Sequence, residues 1–310
     1  AAAYHVKPEQ VFPGNGSDET LAFVFAAFFE AAATAGTLPI LFPNITYSFY
    51  PVYANLWGVP FRTVPLRDDF SVNPEDYLVP AGGVVLANPN APTGMLVEPA
   101  VILRIADYQA GAGRVVVADE AYGAFAGPDP SGGAFSGAAS VTPFIEQHPN
   151  LLTVHTLSKV GALAGLRVGF VIGREELIEG LCRARDSFNS YPLDRLAQAG
   201  AAAALGDAAY YRGITRRIIA TRERVTASLT ALGFETLPSR ANFVFTRHPG
   251  KSGAELFAGL RERGVLVRHF NKPGTAEFLR VTIGTDDEMD RFLEICMELR
   301  EERGLPRSTR

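Results

Sequence analysis

Cysteine is almost missing from this chain: 310 residues hold only Cys182 and Cys296, far apart and in no CxxC pair. That excludes a disulfide framework and a cysteine-built zinc site, so no metal is expected and a reducing, cytoplasmic setting is. Positive charge is not in excess either, with 29 Lys and Arg against 33 Asp and Glu and a net charge of −4. A chain so balanced lacks the basic face that nucleic acid or an anionic membrane demands. No apolar run reaches the roughly 18 residues that span a bilayer. The start, "AAAYHVKPEQVFPGNG", shows no basic segment followed by an apolar block, so no secretory signal is expected. Fixed-period repeats and low-complexity tracts are absent, although "GPDPSGGAFSGAAS" (127–140) reads as a flexible loop of small residues.

What remains is a globular composition, 47% hydrophobic and 20% charged, long enough for one large domain and a smaller one. "GVVLAN" (83–88), "RVVVADE" (114–120), "LLTVHTLS" (151–158) and "VGFVIG" (168–173) are β-branched and apolar without alternation, the pattern of strands buried on both faces. "EPAVILRIADYQAGAG" (98–113) has helical spacing and a glycine stop. "SDETLAFVFAAFFEAAATAG" predicts a helix capped by Ser17 and Asp18 and ending at Gly36. Strands alternating with helices imply an α/β fold with a mostly parallel, helix-covered sheet. A long charged helix over 207–232 leads out of it. Beyond lie three strands, "ANFVFTR", "GVLVRHF" and "FLRVTIGT", with helices over 252–263 and 286–303. The division expected is a large domain over 1–225 and a small α+β domain over 226–310.

Ligands of an open parallel sheet bind beyond the carboxyl ends of its strands, and the chemically capable residues fall there. "GNGSDE" (14–19) opens a helix, so the amides around Gly16, Ser17 and Asp18 can face an anion with the helix dipole behind them; alone it is an ordinary glycine-rich cap. "LANPNAPTG" (86–94) follows a strand, and alone it is a rigid turn. "VVVADEAYGAF" (115–125) ends an apolar strand on Asp119 and Glu120, costly to bury without a cationic partner, with Tyr122 close behind. In "HTLSKVGALAGLRVGF" (155–170), Thr156 and Ser158 share a face, Lys159 follows at once and Arg167 comes eight residues later among glycines. Hydroxyls and a guanidinium surround a phosphate. A buried ammonium near other cations loses its proton readily and attacks carbonyls. Phosphate cup, buried aspartate, tyrosine and lysine together describe a pyridoxal phosphate pocket.

With these motifs in this order, the chain resembles the pyridoxal-phosphate-dependent aminotransferases of fold type I, class I/II, and most of all the histidinol-phosphate aminotransferases. The likeness runs from "VKPEQV" to the last helix and rests on "GSDE", "NPNAPTG", "VVVADEAY", "TLSKVGALAGLRVGF" and "LRVTIGT". It implies a mixed, mostly parallel seven-stranded sheet flanked by helices, plus a smaller C-terminal α+β domain. It implies pyridoxal 5'-phosphate as cofactor, with Lys159 as the Schiff-base lysine and proton shuttle. Asp119 then holds the pyridine nitrogen, Tyr122 the phenolic oxygen, and Tyr47 in "NITYSFY" stacks on the ring. The Ser17 and Asp18 amides, Thr156, Ser158 and Arg167 hold the phosphate.

Arg280 clamps the substrate's acidic group. Arg268 either takes a substrate phosphate or is an exposed strand arginine. The family usually has a second asparagine where this chain has Ala91; either Asn90 reaches round to the ring oxygen, the reading preferred here, or Tyr122 carries that contact alone. The family's N-terminal arm precedes "VKPEQV", feeds the substrate site and lends a tyrosine to a partner's cofactor phosphate. The sequence begins after that arm. The resemblance further implies a homodimer with active sites near the subunit interface, a small amino donor such as histidinol phosphate, and a 2-oxo acid acceptor such as 2-oxoglutarate. Two other readings of the same pocket are a decarboxylase of phosphorylated amino acids and a truncated cofactor-binding protein without turnover.

Overall fold

The computed structural model describes residues 1–32 and 36–301, without the side chain of Glu301. β1 (Val11–Gly14), β2 (Ile40–Pro43), β3 (Phe61–Val64), β4 (Gly83–Ala87), β5 (Val116–Asp119), β6 (Leu151–Thr156) and β7 (Gly169–Ile172) form one sheet, in the order β1-β7-β6-β5-β4-β2-β3. From β3 to β6 all pairs are parallel; β7 runs antiparallel to β6 and β1 antiparallel to β7. This is the mixed, mostly parallel seven-stranded sheet of the expected α/β fold.

The apolar strands do not alternate because each face has its own core. Val85, Val117 and Val154 point to one side, where α1 (Ser17–Phe28), α2 (Tyr50–Leu56) and α4 (Glu175–Asp186) cover them with Val24, Phe25, Tyr50 and Leu181. Val84, Leu86, Val116 and Ala118 point to the other, under Ile102 and Ile105 of α3 (Pro99–Ala110). α5 (Arg195–Gly206) packs Ala197, Ala201 and Ala204 into a third cluster with Phe170 and Ile172.

α6 (Ala208–Ala231) then crosses to a second sheet of β8 (Glu235–Thr236), β9 (Phe243–Arg247), β10 (Arg268–His269) and β11 (Leu279–Thr282), antiparallel throughout in the order β10-β11-β9-β8. α7 (Gly253–Glu262), opened by a Ser252/Glu255 capping box, and α8 (Asp286–Glu301) close this second core with Leu256, Leu260, Phe292 and Ile295. The boundary drawn at residue 225 lies inside α6, whose Ile218 touches the cores on both sides of it. No helix among the described residues is long and apolar enough to cross a membrane.

Three local expectations need correction. α1 stops at Phe28, short of Gly36, and residues 33–35 of the expected helix lie outside the described residues, as do 302 and 303 of the last one. Phe29 leaves the helix with extended backbone and buries its ring against Phe25 and in the space beside Gly83 where a side chain would sit; tertiary packing overrides the helix-forming alanines that follow. The cap of α1 is Gly16, with Ser17 as the first helical residue. The loop over 127–140 is not loose filler, since Phe135, Ser136, Ala139 and Ser140 are buried in it.

Candidate active site

Strand register brings the separated motifs together. Gly14 lies opposite Gly169, Gly169 opposite Thr156, Asp119 opposite Val154, and Ala87 opposite Asp119. The loop opening α1 therefore sits beside the turn that follows β6. A side chain at Gly169 would collide with the backbone of Gly16 and Ser17, and one at Gly16 (φ +86°) with the Arg167 guanidinium, so these glycines set the close approach. With glycine as its cap, α1 starts without a side-chain hydrogen bond to its first amides.

The result is a cavity of about 170 Å³ lined by Ser17, Asp18, Tyr47, Ala87, Pro89, Ala91, Asp119, Ala121, Tyr122, Thr156, Ser158, Lys159, Ala164 and Arg167. Nearly every residue expected to touch the cofactor is there. Arg167 pairs with the Asp18 carboxylate at 3.1 Å, and the Tyr47 hydroxyl donates to the same carboxylate at 2.7 Å. Tyr122 presents its ring to Lys159, whose ammonium stands 5.4 Å from the ring centre. Asp119 is buried on the α1/α2 face. Burial pushes its carboxyl up to about 6, opposed by hydrogen bonds from the Tyr50 hydroxyl (2.8 Å) and the Ala121 amide (3.2 Å). A cation was expected to compensate this charge; a tyrosine hydroxyl does so, with the Lys159 charge a smaller contribution.

Glu120 faces the opposite side of the sheet. Burial lifts it to about 7, while the Ser140 hydroxyl and the Val141 amide donate to it.

Two expectations fail here. Lys159 is exposed to solvent at the cavity, not buried. Asn90 does not line the cavity: its amide donates to the Ile45 carbonyl and the Thr93 hydroxyl, and its oxygen accepts from the Thr46 hydroxyl. Those bonds fold the "NPNAPTG" turn, and Ala91 and Tyr122 line the wall instead.

A second cavity of about 290 Å³ shares Tyr47 and Ala91 with the first, so the two adjoin. Arg268 and Arg280 line it and are directly opposite one another across β10 and β11. Like charges so placed repel. Among the described residues neither makes a salt bridge, and the buried Arg280 Nε has no hydrogen-bond partner. Burial lowers the Arg280 pKa, and its guanidinium lies over the rings of Phe243 and Phe270. Arg268 is exposed, as one of its two readings has it, and it lines the cavity. Tyr50 and the cavity-lining Lys272 went unnoticed in the sequence. A tyrosine three residues after Tyr47 was the available signal for the first, and "RHFNK" carried the second.

The donor set suits pyridoxal phosphate. An amine for a carbonyl, a carboxyl for a ring nitrogen, a phenol, and a cup of helix amides, hydroxyls and a guanidinium meet around one small cavity.

Comparison with known proteins agrees. The family of class I and II aminotransferases matches residues 1–295. Histidinol-phosphate aminotransferase 2 of Thiobacillus denitrificans is 51% identical over 300 residues, covering 96% of this chain and 79% of that protein. The histidinol-phosphate aminotransferase of Acetobacter pasteurianus is 51% identical over 292 residues, 94% of this chain and 77% of that one. A solved histidinol-phosphate aminotransferase from Sinorhizobium meliloti, in complex with pyridoxal 5'-phosphate, has the same fold (TM-score 0.81, 24% identity, 97% of this chain and 79% of that chain). The chain belongs to the class I and II aminotransferase family.

Proposed function

We propose that this aminotransferase moves the amino group of histidinol phosphate to 2-oxoglutarate, with pyridoxal 5'-phosphate in the smaller cavity, as a cytoplasmic step of histidine biosynthesis. The observation that carries the donor is the facing pair Arg268 and Arg280, without an acidic partner among the described residues, at a cavity adjoining the cofactor residues. Two repelling guanidiniums are stabilised by a ligand of matching negative charge, and Lys272 adds a third cation to the wall.

Bound pyridoxal phosphate supplies a carbonyl carbon that accepts the amino group and a ring that accepts electrons. Lys159 would hold the cofactor by its amine, and the same amine would carry the proton taken from the donor carbon. Asp119 would keep the proton on the ring nitrogen, Tyr122 would hold the ring oxygen, and Tyr47 would pack against the ring. The Ser17 and Asp18 amides, Thr156, Ser158 and Arg167 grip the phosphate. Arg167, paired with Asp18 at 3.1 Å, would turn its guanidinium to this anion. Arg280 and Arg268 fix the donor's phosphate, so the reacting carbon is presented in one orientation.

The test is a donor panel read by glutamate formed. Histidinol phosphate should be used far better than unphosphorylated histidinol. Arg280→Ala should raise KM for the phosphorylated donor by roughly 10- to 100-fold, the usual cost of losing a charge-assisted pair. Its affinity for the cofactor should stay the same. Equal use of both donors refutes the substrate.

We also infer a homodimer. Phe49, which caps α2, and Val52 and Leu56 within it are exposed, and Phe188, Tyr191 and Leu196, close to one another in the chain, are at least 79% exposed. A second copy covering such surface is the ordinary solution. Light scattering should give twice the chain mass.

A further inference from the structure

We propose that Tyr50 is a positioning residue for the reaction, acting through Asp119: its hydroxyl holds the carboxylate charged and aimed at the cofactor ring. The inference rests on the cofactor reading above. Tyr50 opens α2 three residues after the ring-stacking Tyr47 and is fully buried. It does not line the cavity. Its ring packs edge-on against Phe42 and Tyr47, and its hydroxyl donates to Asp119 Oδ2 at 2.8 Å. Burial raises the Tyr50 pKa far above the usual phenol value, so the group stays a neutral donor wherever the protein is folded. A neutral phenol facing a carboxyl favours the ionised form.

Asp119 has the opposite tendency: with burial its largest influence, the carboxyl is pushed up to about 6. A protonated Asp119 cannot hold a proton on the ring nitrogen. The groups that face it are Tyr50, Tyr47 and Tyr53 from α2 and the stretch before it, Asp18 from α1, and Lys159 from the turn after β6. Asp18 pushes the carboxyl up and Lys159 pulls it down. Tyr47 and Tyr53 turn their hydroxyls to Asp18 instead. Tyr50 is therefore the one side chain among the described residues that hydrogen-bonds Asp119.

Tyr50→Phe removes the hydroxyl and keeps the ring. The experiment measures the dissociation constant of pyridoxal phosphate by fluorescence over roughly pH 5 to 9, alongside the melting temperature of the cofactor-free chain. Relative to the parent, the variant should bind about tenfold more weakly near neutral pH. The pH at which its binding fails should rise by about one unit, and the gap should narrow in alkali, where Asp119 is ionised in both. In an Asp119→Asn background the same substitution should change binding less than about twofold, because the partner it acts through is gone. Superimposable curves for parent and Tyr50→Phe would overturn the inference. So would a uniform loss at every pH that persists in the Asp119→Asn background, since that is the behaviour of packing alone. Failure of the parent chain itself to bind pyridoxal phosphate would overturn the cofactor reading, and this inference with it.

Discussion

Asp119 and Glu120 are neighbours in sequence and face opposite worlds. Both are buried carboxyls at the end of β5, both are raised by desolvation, and both receive one hydroxyl and one backbone amide. Asp119 opens on a cavity with Lys159 and Tyr122, whereas Glu120 faces Ser140, Thr142 and His155 in a closed interior. His155, stacked on Phe170 with Tyr4 tilted against it, is held neutral by burial, with its pKa pushed down to about 3. Sequence proximity and similar titration therefore do not make a site. The difference is access: one carboxyl can meet a ligand, and the other ties the loop over 127–140 to the sheet.

The largest test of this contrast is in turnover. Asp119→Asn should lower kcat/KM about a hundredfold or more, the scale seen when one preorganised charged contact is removed. Glu120→Gln, one residue away, should change it less than about threefold once folded protein is compared. Parallel losses in steady-state assays would erase the distinction.

A smaller effect lies in stability. Glu120 has a folded pKa raised from 4.5 to about 7, so its contribution is full below 4.5 and is lost as pH rises through 7. Glu120→Gln removes that loss. Guanidinium unfolding of the cofactor-free chain should show the variant gaining on the parent by about 1–3 kcal/mol between pH 5 and 8. His155 acts in the opposite direction, its contribution being lost as pH falls from 6.5 towards 3, and it cancels in the comparison of variant with parent. A pH-independent difference would mean that Glu120 does not titrate as its burial demands.

The parts legible in sequence are those where chemistry conflicts with surroundings. Asp119 after four apolar residues is a costly placement, and cost is visible in one dimension, whereas Lys159 stood out among glycines for a burial that the structure does not give it. The buried strands were readable for the same reason, since apolar runs without alternation demand cover on both faces. The spacing from Tyr47 was the one hint of Tyr50 and did not give its role: a tyrosine at an apolar helix position looks like core, and its hydroxyl bond to β5 exists only after α2 packs on the sheet. Asn90 failed differently. It stands one place before the family's asparagine position, and the turn it sits in consumes both ends of its amide. Short strands such as β1 and β8, and the Phe29 turn that ends α1, depend on partners distant in the chain.

The most direct measurement is borohydride reduction of the chain loaded with pyridoxal phosphate, followed by peptide mapping. The cofactor's mass should appear on the peptide carrying Lys159, and Lys159→Ala should lose both that mass and turnover while its melting temperature shifts by only a few degrees. A reduced adduct on another lysine, or full transamination by Lys159→Ala, would contradict the account.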